Sequence, residues 1–369
     1  MELSPQDTLR LNVLLANKPQ AIRIHESRMT VHGLSDSGEA QVELNPTGRP
    51  DQYIKRVKEL LSGHVLGSPG GYPVYLQRWT RMGQMRDDSL EQLLLLGEPE
   101  AVVAAVSAQG LTDELARRAW WAMEDATNAR HMLRKAAIVE GEMGPRLAAY
   151  LVEHLPFETE PEQQIETVRL VLQADLLDRD QIDDLWRKAQ RKPAYYVGFI
   201  AARPDDLPDR AVAHVLAADR ALLEQVAAGN PLAAQLVRVL DAPGQAFLKT
   251  VLRIFEKPSN QDVVNISLDT MAGYFAAARP EGRVDQPFEG LQQEAHEWCR
   301  TSRDAQPLLA TPRQDIAEML QAMRILSGLS YGVVRPAFGD STAIGSLMRR
   351  KLQPVLTPLL ETLRVLRSD

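Results

Sequence analysis

Glu100-Ala-Val-Val-Ala-Ala-Val106, followed at once by Gly110-Leu-Thr-Asp-Glu-Leu-Ala-Arg-Arg-Ala119, is the stretch on which the fold turns. Alanine and leucine dominate both runs, and both favour helix. The Gln109-Gly110 break between them punctuates the chain, so the pair reads as a helical hairpin. Asp180-Gln-Ile-Asp-Asp-Leu-Trp186 and Tyr195-Tyr-Val-Gly-Phe-Ile200 read the same way.

Downstream of about residue 88 this texture persists. Apolar-rich segments at 111–123, 145–155, 164–173 and 211–227 are cut by Gly97-Glu98-Pro99, Arg203-Pro204-Asp205-Asp206 and Gly229-Asn230-Pro231. No fixed period emerges, so the expectation is an irregular array of helical hairpins, solenoid-like or a bundle. Residues 256–290 carry the weakest signal, with Glu256-Lys-Pro-Ser-Asn260 and the stretch from Ala278 to Pro287 read as loops. Helices are expected again at 290–300, 312–327 and 347–367, the last interrupted by Pro354 and Pro358.

Upstream the period changes. Residues 4–17 read as a helix capped by Ser4 with Pro5 in its first turn, and with Leu9, Leu11, Val13, Leu14 and Leu15 as apolar surface. Ile22-Arg-Ile-His25, Met29-Thr-Val-His32 and Gln41-Val-Glu-Leu44 then alternate apolar with polar. Period two is the strand signature, and three short antiparallel strands are the simplest reading. Helix character returns at 51–62, before the glycine- and proline-rich residues 67–73. The fold class is therefore mainly α: a small N-terminal α+β unit over 1–86 with a short antiparallel meander, a helical hairpin array over 87–255, and a C-terminal helical region over 256–369. Residues 64–86 are expected to be the hinge.

At 369 residues the chain exceeds the roughly 250–300 at which one hydrophobic core stops growing. Hydrophobic residues make up 44%, enough to form cores and to exclude global disorder. The net charge of −7 and only 5% aromatics disfavour a phosphate-wrapping surface as the function of the whole molecule. Cys299 is the sole cysteine, so neither an internal disulfide nor a cysteine-rich metal site can form. The reading is a cytoplasmic protein with no membrane span.

No recognisable catalytic, cofactor or metal motif stands out. Residues 67–73 lack the lysine of a phosphate-binding loop, and Pro73 removes an amide donor. His25 and His32 lie on neighbouring expected strands and could approach, but two histidines without a further ligand make a poor zinc site. Asp178, Asp180, Asp183 and Asp184 form an acidic cluster of the kind most often solvated. His296 and Cys299, three apart on an expected helix, are a weak reactive-thiol candidate against a bland packing role. Trp120 and Trp121 stand side by side, so one suits a core and the other a second packing surface. The candidate interaction surface is Arg78, Trp79, Arg81, Met82, Met85 and Arg86, which combines residue types enriched where proteins bind one another.

Several stretches resemble one family. These are Leu11-Asn-Val-Leu-Leu-Ala-Asn17, the run from Glu59 through Pro73 to Tyr75, Arg78-Trp-Thr-Arg-Met-Gly-Gln84 and Leu90-Glu-Gln-Leu-Leu-Leu-Leu-Gly-Glu-Pro-Glu-Ala-Val102, and they resemble the DsrS family. The resemblance is strongest over 59–106. It implies a cytoplasmic accessory protein encoded with the dissimilatory sulfite reductase system of sulfur-oxidising bacteria, with partners among the proteins of that system. It brings no catalytic residue, and the single internal Cys299 does not suit a persulfide carrier. The expected function is non-catalytic and works through macromolecular binding. A cryptic small-molecule-binding protein or enzyme, and an RNA-binding regulator using Arg78, Arg81 and Arg86 with Trp79, are the alternatives.

Overall fold

Ser4 starts the first helix as expected. Its hydroxyl accepts from the Asp7 amide at 3.1 Å, and α1 runs over Pro5–Ala16. The computed structural model describes residues 2–82, 87–214, 229–282, 284–310, 314–338 and 345–367. Within helices, the side chains of 77–82, 87–89 and 314 stand outside that description.

The alternating stretch forms three strands, β1 (Ala21–His25), β2 (Thr30–Ser35) and β3 (Gly38–Glu43), in the order β1-β2-β3 and antiparallel throughout. The register pairs Arg23 with His32 and His32 with Gln41. One face, carrying Ile22, Val31 and Val42, packs on Leu11, Leu14 and Leu15 of α1 and on Tyr53, Val57 and Leu61 of α2 (Pro50–Leu66). Each fully buried side chain there contributes about 1.5–3 kcal/mol. Gly33 permits the close approach of α1, since a Cβ on it would lie 2.9 Å from Leu14 Cδ1.

Beyond α2 come α3 (Gly71–Met82), α4 (Asp87–Leu94), α5 (Pro99–Ser107), α6 (Asp113–Ala122), α7 (Ala126–Leu133), α8 (Ala136–Val139) and α9 (Met143–His154). Helices α4 and α6 pack against β1. The sheet and these helices thus share one compact unit, Met1–His154, and Leu155–Asp369 forms the other. The compact units divide at 154/155, whereas the changes of sequence texture fall at 86/87 and 255/256. The reason is that α4 and α6 contact β1, so residues 64–82 lie inside a unit.

In the second unit α10 (Pro161–Val171), α11 (Arg179–Ala189) and α12 (Pro193–Ala202) are followed by α13 (Pro231–Leu240), α14 (Ala242–Glu256), α15 (Gln261–Tyr274), α16 (Phe288–Thr301), α17 (Gln306–Leu309), α18 (Gln314–Ser327), α19 (Tyr331–Phe338) and α20 (Gly345–Val365). Helix α12 is apolar on every side and buries Ala194 through Ile200. A helix of that kind needs neighbours all round, and α10, α11, α14 and α15 supply them. This contact between elements distant in sequence is bundle packing, not the neighbour-only stacking of a solenoid.

The loops read around 256–260 and 278–287 are present among the described residues, and between them Asn260 caps α15 by accepting from the Val263 amide at 3.0 Å. One local expectation is corrected. Helix α20 runs unbroken through Pro354 and Pro358. The two prolines stand four apart and away from the buried stripe of Leu352, Leu356 and Leu359, so the carbonyls they orphan sit on the wetter side.

Candidate interaction surface

Leu9 is 65% and Val13 54% exposed, although both belong to the apolar complement of α1. Their helix is fixed from the opposite side. Asp7 is fully buried and accepts from the Tyr53 hydroxyl at 2.6 Å and from the Asn45 amide at 2.8 Å. Burial alone would push its carboxyl up, but the Tyr53 and Asn45 donors more than reverse this and hold it below the ordinary aspartate value. One buried carboxylate therefore ties α1 to α2 and to the residues that follow β3.

β3 is an edge strand. Antiparallel pairing alternates residues whose backbone groups meet the partner strand with residues whose groups point away. Ser35 pairs with Gly38 at the hairpin, and Leu44 donates to Met29 at 2.8 Å, which sets the phase. The backbone groups of Gly38, Ala40 and Val42 face β2, and those of Glu39, Gln41 and Glu43 face outward. Of the outward groups, the Glu43 carbonyl accepts from Arg10 at 3.4 Å.

Between this edge and α1 runs a groove of about 670 Å³ lined by Leu9, Val13, Leu14, Ala40 and Val42, with Arg10 and Asn17 also on its helical wall. Arg10 lies against Glu43, while Asn17 lies near Gly38 and Glu39 in the adjoining hollow. α1 therefore runs antiparallel to β3 along the groove.

The opposite face of the sheet is polar. Glu39 accepts from Arg23 at 2.9 Å and from the Trp121 indole at 3.1 Å, and its carboxylate lies 2.6 Å from His32 Nδ1. The Arg23 guanidinium covers the Trp121 ring at 4.5 Å. Trp120 is buried edge-on to Tyr150 at 4.7 Å, so the tryptophan pair divides between a core and this surface. The His25 and His32 rings approach edge-on at 5.0 Å, as their strands allow. Burial, then the neighbouring His32 and Arg23, lowers the pKa of His25. Among the described residues no group of three or more His, Cys, Asp or Glu side chains could hold a metal ion.

The six-residue surface expected at Arg78, Trp79, Arg81, Met82, Met85 and Arg86 lies outside the described residues as far as its side chains are concerned. The Gly71 amide donates to Ser62 Oγ at 2.8 Å and the Tyr72 amide to Glu98 at 3.1 Å. Two amides that a phosphate would need are thus already taken, and a carboxylate occupies the place of the anion. The acidic cluster resolves into helix chemistry: Asp178 caps α11 in a reciprocal box with Gln181, and Asp184 pairs with Lys188 at 2.7 Å.

Cys299 is buried on α16, its sulfur 4.0 Å from the Ala317 carbonyl oxygen, whereas His296 is exposed. Burial pushes the thiol up. A reactive cysteine needs thiolate and access, and this one has neither, so the reactive-thiol candidate gives way to packing. Native protein at pH 7.5 should resist alkylation by iodoacetamide, while urea-unfolded protein reacts fully within the same time. Rapid native labelling would contradict the burial argument.

Compared with protein-family models, with curated proteins and with solved structures, the chain matches none.

Proposed function

We propose that this protein is a non-catalytic accessory protein that works by binding another protein through its N-terminal unit. The observation that carries the reading is the β3 edge, unpaired among the described residues, beside an apolar groove. An edge strand with unpaired backbone groups is a template for strand addition, and Glu39 and Glu43 on this one restrict which segment it would take. Exposed Leu9 and Val13 beside it are the second mark of use, since paired apolar exposure costs solubility without helping the fold.

On the resemblance of residues 59–106 alone, the partner belongs to the sulfur-oxidation system and the setting is the cytoplasm. No helix among the described residues is long and apolar enough to cross a membrane, which agrees with that setting. A protein partner is favoured over RNA because β3 carries Glu39 and Glu43 and no basic residue.

The test is capture of partners from cytosol with the intact protein and with Gln41→Pro. The Gln41 amide faces outward, so proline there removes an edge donor without removing a ladder bond. The variant should lose about 1 kcal/mol of stability or less, in line with an edge position away from the core, while a stoichiometric partner held by the intact chain is lost. Absence of any reproducible partner for the intact protein would defeat the reading.

A further inference from the structure

We propose that the groove takes one extended segment of a partner protein as a fourth strand beside β3, with apolar side chains at alternate positions over Leu9 and Val13 and a lysine or arginine opposite Glu43. This rests on the accessory-protein reading and specifies the chemistry of its ligand.

The geometry supports the alternation. Leu9 and Val13 are one turn apart, about 6 Å along the helix axis at 1.5 Å per residue. Alternate residues of a strand are about 6.8 Å apart on one face. Because α1 runs along β3, two successive inward side chains of an added strand meet Leu9 and Val13 in turn, over the floor made by Ala40 and Val42. The side chains between them fall on the other face, beside Glu39, Gln41 and Glu43.

Charge selects among occupants. The Glu39 carboxylate is held by Arg23, His32 and Trp121. Glu43 is exposed, and its side chain makes no ion pair among the described residues. Arg23 and His32 are spent on Glu39, so on the polar face of the sheet Glu43 is the carboxylate left for the ligand to meet, while Arg10, at the Glu43 carbonyl, lies on the groove side. A second copy is disfavoured: antiparallel pairing of two β3 strands about Gln41 sets Glu39 opposite Glu43 twice, and like charges directly opposed destabilise a pair. Arg10, bonded to the Glu43 carbonyl, closes that end of the edge, so pairing runs from Glu43 toward Gly38.

The experiment uses full-length protein and a fluorescent acetyl-Val-Lys-Val-Lys-Val-Lys-Val-amide probe, titrated by anisotropy. Saturable binding is expected. A glutamate-for-lysine probe should bind at least about tenfold more weakly, a loss of one favourable contact of roughly 1.4 kcal/mol. Val13→Asp should weaken the lysine probe by a similar factor, and Glu43→Gln should weaken it about threefold and flatten its salt dependence. Both positions are exposed, and an unchanged melting temperature verifies that the variants fold. N-methylation of alternate probe amides should abolish binding in one phase and not in the other. No saturable binding, equal binding of the glutamate probe, or indifference to N-methyl phase would overturn the proposal. So would a dimer in sedimentation equilibrium that Gln41→Pro dissociates, since the edge would then belong to a second copy. If probes fail while intact protein and Gln41→Pro capture the same stoichiometric partner, the strand-addition inference falls and the accessory reading stands. If the probe binds as expected and no partner is ever captured, the accessory reading falls instead.

Discussion

Glu294→Gln should lower the unfolding free energy of the Leu155–Asp369 unit by about 3–5 kcal/mol, the cost of breaking a buried ion network from one side. Arg279 and Arg324 are both buried, and Glu294 lies between them. Arg279 donates to it at 2.6 Å, and Arg324 donates through Nε at 3.0 Å and again through Nη2. Arg324 also donates to the Ala278 carbonyl at 2.7 Å and stands 4.8 Å over the Trp298 ring. Glutamine keeps the shape and removes the charge, leaving two buried guanidinium groups with only the exposed Glu281 as counter-ion among the described residues. Burial raises the Glu294 carboxyl, but Arg324 and Arg279 outweigh this and hold it below the ordinary glutamate value. A lowered folded pKa gives stability that is present above the unfolded value, near pH 4.5, and is lost as pH falls below it. Urea unfolding followed by tryptophan fluorescence at pH 7 and pH 4 checks both statements. A loss under about 1 kcal/mol at pH 7 would show that the network is not needed for stability.

Asp7→Ala should cost the Met1–His154 unit about 3–4 kcal/mol, since hydrogen bonds to a charged group contribute about 1.5–3 kcal/mol each and buried donors are left unpaired. The Tyr53 hydroxyl and the Asn45 amide both lose their acceptor. Tyr53→Phe should cost less, about 1.5–3 kcal/mol, because Asn45 still holds the carboxylate. The double variant should fall short of the sum, as coupled partners do. The Asp7 contribution is likewise present above the unfolded aspartate value of 3.8 and lost as pH falls below it. Equal and additive losses would show that the two side chains act independently.

Much of the fold follows from local chemistry that a sequence displays. Period two in Ile22, Ile24, Val31 and Val42 marks the meander, and Ser4 marks the helix start it caps, whereas the Asp178 cap was hidden in an acidic cluster. The uninterrupted apolar surface of Ala194 to Ile200 marks a helix enclosed on all sides. The path through Pro354 and Pro358 was not legible, because whether a proline breaks a helix depends on which face it occupies and what else the helix buries. Nor was the grouping of α4 and α6 with the sheet, which depends on long-range packing.

The candidate surface was half legible. Counting Leu9 and Val13 among the apolar residues of α1 hid their direction. At about 100° per residue they lie roughly opposite Leu11, while Leu14 and Leu15 flank it. Two apolar stripes on one short helix are a signal for a second contact, and only the Leu11 stripe is spent on the core. Glu39 was missed because its partners come from β1, β2 and α6, which no local pattern joins. The register places it diagonal to His32, and that register is set by a hairpin closing at Ser35 and Gly38.

On the proposed function the β3 edge is open in the free protein and covered by the partner. Amide hydrogen exchange of β3, read residue by residue, tests it most directly. In the free protein Glu39, Gln41 and Glu43 should exchange far faster than Ala40 and Val42, whose groups face β2. Saturation with the captured partner should slow Glu39 and Gln41 and leave α20 unchanged. Outward amides already protected in the free protein, or a partner that binds while Glu39 and Gln41 keep exchanging fast, would contradict the account.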